Sequence, residues 1–137
     1  MHRHSIALDI GIHFHHIGNM EKTAAISALA ALAQESRLDV FRLLVQTGTE
    51  GMPAGQIGER LGLPSATLSF HLNQLRHAGL VTIRREGRSL IYAAEYTAMN
   101  ALLAYLTENC CQGDPADCGI GICDTTTLVN AKEGTRQ

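Results

Sequence analysis

Apolar positions recur with the period of a helix in five blocks and with the period of a strand in one. Residues 23–33 carry Ile26, Leu29, Ala30 and Ala33 on one face, an Ala- and Leu-rich pattern that predicts a first helix able to approach a neighbour closely. Ser36 followed by Asp39 marks an N-cap for a second helix. There Leu38, Val40, Phe41, Leu44 and Val45 form a broad apolar stripe before Thr47-Gly48 ends it, and the stripe predicts the centre of the core. Gly51-Met52-Pro53 reads as a turn into a third helix with Pro53 at its first position, Ile57 and Leu61 buried, and Gly62-Leu63-Pro64 as its break. Ser65 then caps a fourth helix whose inward row is Leu68, Leu72 and Leu75, and Gly79 ends it in the left-handed conformation.

After Leu80 the period falls to two. Val81 and Ile83 alternate with Thr82 and Arg84, Glu86-Gly87 turns the chain, and Leu90 and Tyr92 alternate with Ser89 and Ile91, which predicts a hairpin. The helical period returns from about Tyr96 with Met99, Leu102, Leu103 and Leu106, extends toward Cys110, and is closed by Gly113 and Pro115. The expected fold is therefore mainly α with a small β-hairpin. Two helices joined by a three-residue turn and followed by a hairpin make a winged helix-turn-helix.

At 137 residues there is room for one domain and a tail, and 45% hydrophobic content supplies its core. No uninterrupted run of eighteen apolar residues offers a membrane span. Residues 1–19 hold five of the seven histidines and read as a leader or upstream start outside the fold, with a metal-binding arm as the lesser alternative; residues 20–112 form the domain, and residues 113–137 a Cys-containing flexible tail. The four cysteines, at 110, 111, 118 and 123, crowd one end instead of spanning the fold, so they are expected as thiols in a reducing, cytoplasmic setting.

The net charge of −2 conceals an uneven distribution. Between Arg60 and Arg88 lie five arginines and one acid, Glu86, whereas from Ser89 onward six acids face two bases. With its leucines inward, the fourth helix presents Ala66, Thr67, Ser69, Phe70, Asn73, Gln74 and His77 outward. Hydroxyls and amides of this size suit the major groove of duplex DNA. Ser65, Thr67, Ser69, Phe70, His71 and Gln74 are the candidate DNA contacts on this helix, and Arg84, Arg85 and Arg88 on the wing would hold backbone phosphates. No Cys-x-x-Cys or thiol paired with a base suggests an enzyme.

Three stretches carry a resemblance: Ala33 to Leu44 (AQESRLDVFRLL), Leu63 to Val81 (LPSATLSFHLNQLRHAGLV) and Arg85 to Tyr92 (REGRSLIY). Together they resemble the ArsR/SmtB family of winged-helix repressors over about residues 21–112. The resemblance implies a homodimer held through its first and last helices, bound to double-stranded operator DNA until an inducing ion lowers its affinity. Surplus apolar faces on the first and last helices agree with a dimer.

Two sensing sites used within that family are absent from this sequence. The first helix of the helix-turn-helix has no Cys, and residues 96–108 have no His and only Glu108 as a late carboxylate. What remains is Cys110-Cys111 with Cys118, similar to arsenic-responsive members bearing a C-terminal Cys pair and a third Cys. Three thiolates suit As(III), or Sb(III), as inducer. Cys123 is a possible fourth ligand, which would suit Cd, Pb or Zn instead, and thiol redox sensing is the further alternative.

Overall fold

The computed structural model describes residues 20–113. The leader, and the tail with Cys118 and Cys123, lie outside the described residues. In order the chain forms α1 (Lys22–Leu32), α2 (Glu35–Thr47), β1 (Met52–Pro53), α3 (Ala54–Leu61), α4 (Ser65–His77), β2 (Val81–Glu86), β3 (Ser89–Ala94) and α5 (Tyr96–Leu106), followed by a short 3-10 turn at Cys110–Gly113. The contacts divide it into two units, one ending at Leu102 and a second starting at Leu103. Among the described residues no helix is long and apolar enough to cross a membrane.

The first unit is built around α2, which packs on α1, α3, α4 and β3. Val40 and Leu44 are completely enclosed, together with Ile57 of α3, Leu72 and Leu75 of α4, and Leu80 at the entry to β2. This is the predicted centre of the core. Leu38, placed in the same stripe by its spacing, is exposed, so the buried band is narrower than its apolar pattern.

Helix starts differ from the sequence expectation by a residue or two. Gln34, in extended conformation, caps α2 by accepting the Arg37 N–H on Oε1 at 2.8 Å, so Ser36 falls inside the first turn. Arg37 also donates from Nε to the Ala31 carbonyl at 2.7 Å, satisfying an end carbonyl of α1 and fixing the corner between the two helices. Pro64, not Ser65, occupies the cap position of α4, and no side chain caps that helix.

The α3 entry is a strand before it is a helix. Met52 pairs with Tyr92 and Pro53 with Ile91, giving a three-stranded antiparallel sheet in the order β1-β3-β2 instead of a lone hairpin. Pro53 is tolerated because the strand is an edge and only two residues long. Gly51, at φ +72, is required here: a Cβ on it would collide with the Tyr92 carbonyl oxygen. As the central strand, β3 buries Ile91, Tyr92, Ala93 and Ala94 consecutively while Leu90 is exposed, so the expected alternation of Leu90 and Tyr92 against Ile91 fails. The wing turns through Gly87 and Arg88, with Glu86 facing Ser89.

Gly79 behaves as expected. At φ +76 it closes α4, with its own N–H donated to the Arg76 carbonyl at 2.9 Å and the Leu80 N–H to the Leu75 carbonyl at 3.0 Å, the double bond of a Schellman motif. α1 buries Ala25, Ala28 and Ala31, a face of small residues, and leaves Ile26 58% and Leu29 42% exposed. The apolar surplus lies on the opposite side from the close contact.

In the second unit α5 has already ended at Leu106, before the expected extension through Cys110 to Gly113. Thr107 donates its hydroxyl to the Leu103 carbonyl at 2.7 Å, a local bond that competes with the helical ladder. The following amides step to shorter i−3 acceptors, Glu108 to Tyr105 and Cys110 to Thr107. Asn109 then enters the left-handed region at φ +55.

Candidate nucleic-acid interface and thiol pair

The inner row of α4 is Leu68, His71, Leu72 and Leu75. At roughly 100° per residue the opposite side of the helix is the line Ala66, Phe70, Asn73 and His77, flanked by Thr67 and Ser69. All six are exposed, and Ser65 stands exposed in the first turn. Gln74 is half-buried at the edge of the face. Of the candidate DNA contacts on this helix, Thr67, Ser69 and Phe70 thus share one open surface, and Ser65 is exposed one turn before Ser69 at its edge. Asn73 lies on the centre line of that surface; its outward position was legible from the helical period, although it was not assigned to DNA.

His71 is the exception. It is 6% exposed and points into the domain, so the sequence assignment of His71 as a DNA contact is corrected to a place under the helix. The apolar spacing gives α4 an inward row of three leucines, and a histidine at the i+3 position from Leu68 occupies a fourth inward place. Its ring meets Phe70 edge-on at 5.8 Å between centroids, and its buried Nδ1 has no hydrogen-bond partner among the described residues. Burial, aided by the positive charge of Arg37, lowers its pKa below the ordinary 6.5.

Unfolded chains bind a proton at His71 more readily than folded ones, so its contribution to stability is full above about pH 6.5 and is lost as pH falls toward the lowered folded value. Denaturation midpoints measured from pH 8 to pH 5 are expected to decline for the wild type below pH 6.5 and to decline less for His71→Gln. Parallel profiles would assign the acid sensitivity to another group.

The wing arginines do not form one set. Arg84 is folded back: Nε donates to Glu86 Oε1 at 2.9 Å, Nη1 to the Thr49 carbonyl at 3.4 Å, and Nη2 to the Glu50 carbonyl. Its guanidinium therefore ties the wing to the loop between α2 and β1. Arg85 and Arg88 are exposed beside the turn, where a phosphate backbone could meet them.

In the second unit, Cys110 and Cys111 place their Sγ atoms 3.7 Å apart. The backbone explains the approach. Adjacent residues of an α-helix diverge by about 100°, whereas here Cys111 stands at φ 55, ψ 35 in the 3-10 turn. Burial, and then the Cys111 thiol beside it, push the Cys110 thiol up from its ordinary pKa. Among the described residues no group of three His, Cys, Asp or Glu converges on one point, and Cys118 and Cys123 lie outside them.

Residues 32–84 match a family described as a helix-turn-helix domain. The chain is 33% identical over 97 residues to the transcriptional activator HlyU of Vibrio cholerae serotype O1, covering 69% of this chain and 87% of HlyU. The crystal structure of NolR from Sinorhizobium fredii superposes with a TM-score of 0.51 at 32% identity, covering 63% of this chain and 83% of NolR. An ArsR-like transcriptional regulator from Rhodococcus sp. RHA1 reaches a TM-score of 0.59 over 84% of this chain and 95% of its own, at 23% identity, a likeness of fold. HlyU and the Rhodococcus protein carry the names of transcriptional regulators and not of enzymes. On its fold, the pattern of its fourth helix and these relatives, the chain belongs to the ArsR/SmtB family of winged-helix transcriptional regulators.

Proposed function

We propose that the protein is a homodimeric, cytoplasmic repressor that binds double-stranded operator DNA through α4 and the wing, and that releases it when As(III), or Sb(III), is captured by Cys110, Cys111 and Cys118. The observation that carries the sensing step is the 3.7 Å separation of the two Sγ atoms. Metal–thiolate bonds of about 2.3 Å meeting at roughly 95° to 110° put two sulfurs about 3.4 to 3.8 Å apart. The pair therefore fits two bonds to one ion with little rearrangement, and Cys118 would supply the third. Pairing of copies is supported by Ile26 and Leu29, exposed on α1, and separately by Leu106, 55% exposed on α5.

Anisotropy of a fluorescent promoter fragment tests both halves. The protein should bind it with a steep salt dependence, and arsenite or antimonite should release it. A fragment that is never bound removes the DNA reading. A fragment held equally well at saturating arsenite removes the sensing reading. Release by Cd, Pb or Zn alone would enlist Cys123 in a four-thiolate site, and release by peroxide, reversed by dithiol, would make the pair a redox sensor.

The same assay separates the wing arginines. Each phosphate contact contributes about 0.9 to the slope of log affinity against log salt. Arg85→Gln or Arg88→Gln should flatten the slope by about that amount per copy. Arg84→Gln should weaken binding about five-fold by freeing the wing, with the slope unchanged. A flattened slope for Arg84→Gln would place its guanidinium on a phosphate instead.

A further inference from the structure

Phe70 is the one large apolar side chain on the outward face of α4, and it is 56% exposed. It is not part of the inner row: it lies roughly 150° around the helix from the centre of Leu68, His71, Leu72 and Leu75, touching that row only through its edge contact with His71. Ala66, one turn earlier, lies on the same line, so the two form a narrow apolar strip bordered by Thr67, Ser69 and Asn73. Such a strip has no use for phosphates, which take the hydroxyls and arginines around it.

In the major groove the single apolar group presented by base pairs is the C5-methyl of thymine. Cytosine, guanine and adenine edges there offer donors and acceptors that an exposed phenyl ring would strip of water without replacing. We infer that Phe70 is a specificity-determining residue that reads thymine by burying its methyl group, and that Ala66 leaves the room beside it for that approach. The inference rests on the DNA-binding reading above and adds to it which base α4 selects and by which atom.

The test removes the methyl alone. A duplex selected by the wild-type protein from a random pool is compared with the same duplex in which every thymine is replaced by deoxyuridine, which keeps all hydrogen-bonding edges. Burial of one methyl corresponds to about a four-fold change in affinity, so the deoxyuridine duplex should bind about four-fold more weakly per half-site. Phe70→Ala should bind both duplexes alike, and Phe70→Leu should retain part of the discrimination. The ring is exposed apart from its edge contact with His71, so Phe70→Leu, which keeps an apolar side chain there, should unfold near the wild-type midpoint, which separates a reading role from a structural one. Equal affinity of the wild type for the two duplexes, with salt-dependent binding intact, overturns the inference. Failure to select or bind any duplex overturns the DNA reading, and this inference with it.

Discussion

Cys110→Ser and Cys111→Ser, singly or together, should abolish arsenite-driven release while leaving operator affinity without arsenite at the wild-type value. Serine keeps the shape of the side chain but replaces a soft sulfur by a hard hydroxyl, which offers As(III) nothing over the hydroxyls that arsenite already carries. The two sulfurs stand 3.7 Å apart, so losing either one breaks the chelate and not a peripheral contact. An ion that couples to DNA by about 1 to 3 kcal/mol lowers operator affinity by about 5- to 150-fold, and in these variants that ratio should collapse to one. Cys118→Ser should behave like them, whereas Cys123→Ser should release normally. Burial and the neighbouring thiol push Cys110 upward, so it holds its proton at neutral pH. Each thiol proton leaves with a hydroxyl of arsenous acid as water, so capture releases no net proton and arsenite affinity should stay level from pH 8 to 6, whereas capture of Cd or Zn, which frees the thiol protons, should weaken over the same range. Competition against the labelled operator measures both. Normal release by the double variant would move the sensing site elsewhere in the chain.

The winged helix was legible because each element carries its own local signal. Leu68, Leu72 and Leu75 at helical spacing, Gly79 behind them and alternation from Val81 specify α4 and the wing without knowledge of the rest. Features that depend on contacts distant in sequence were not legible. Met52-Pro53 becomes a strand only because Tyr92 and Ile91 lie beside it, forty residues away in the chain and invisible to a local pattern. Arg84 looks like its neighbour Arg85 until the carbonyls of Thr49 and Glu50 are placed next to it. His71 illustrates a different failure. Its polarity argued for the DNA face, whereas its position one turn from Leu68 and Leu75 argued for the interior, and position prevailed. For the thiol site, residue type and order proposed the ligand set, but the distance between Cys110 and Cys111 required the backbone of the 3-10 turn.

Leu75→Ala should be the most damaging of the single substitutions considered for this domain, lowering its stability by about 2 to 5 kcal/mol. Leu75 is fully enclosed on the inner row of α4, a helix that packs against α2, and its carbonyl receives the Leu80 N–H that ends the helix. Deleting most of the side chain leaves a cavity that Leu72, already enclosed, has no freedom to fill. Against a total of about 5 to 15 kcal/mol for a typical domain, that loss unfolds a measurable fraction of the chains. Urea midpoints should be compared at one protein concentration, because a dimer's stability depends on it. Leu90→Ala, at the exposed end of β3, is the control and should change stability by less than about 0.5 kcal/mol. The contrast with Phe70→Ala then separates the two sides of one helix. Leu75→Ala should lose DNA affinity in proportion to the chains it unfolds, and urea should reveal the cause, whereas Phe70→Ala should lose affinity while giving up at most the edge contact with His71, about 0.5 to 1.5 kcal/mol. A Leu75→Ala protein within 1 kcal/mol of the wild type would mean that the inner row of α4 is not the seat on which the outward face is held.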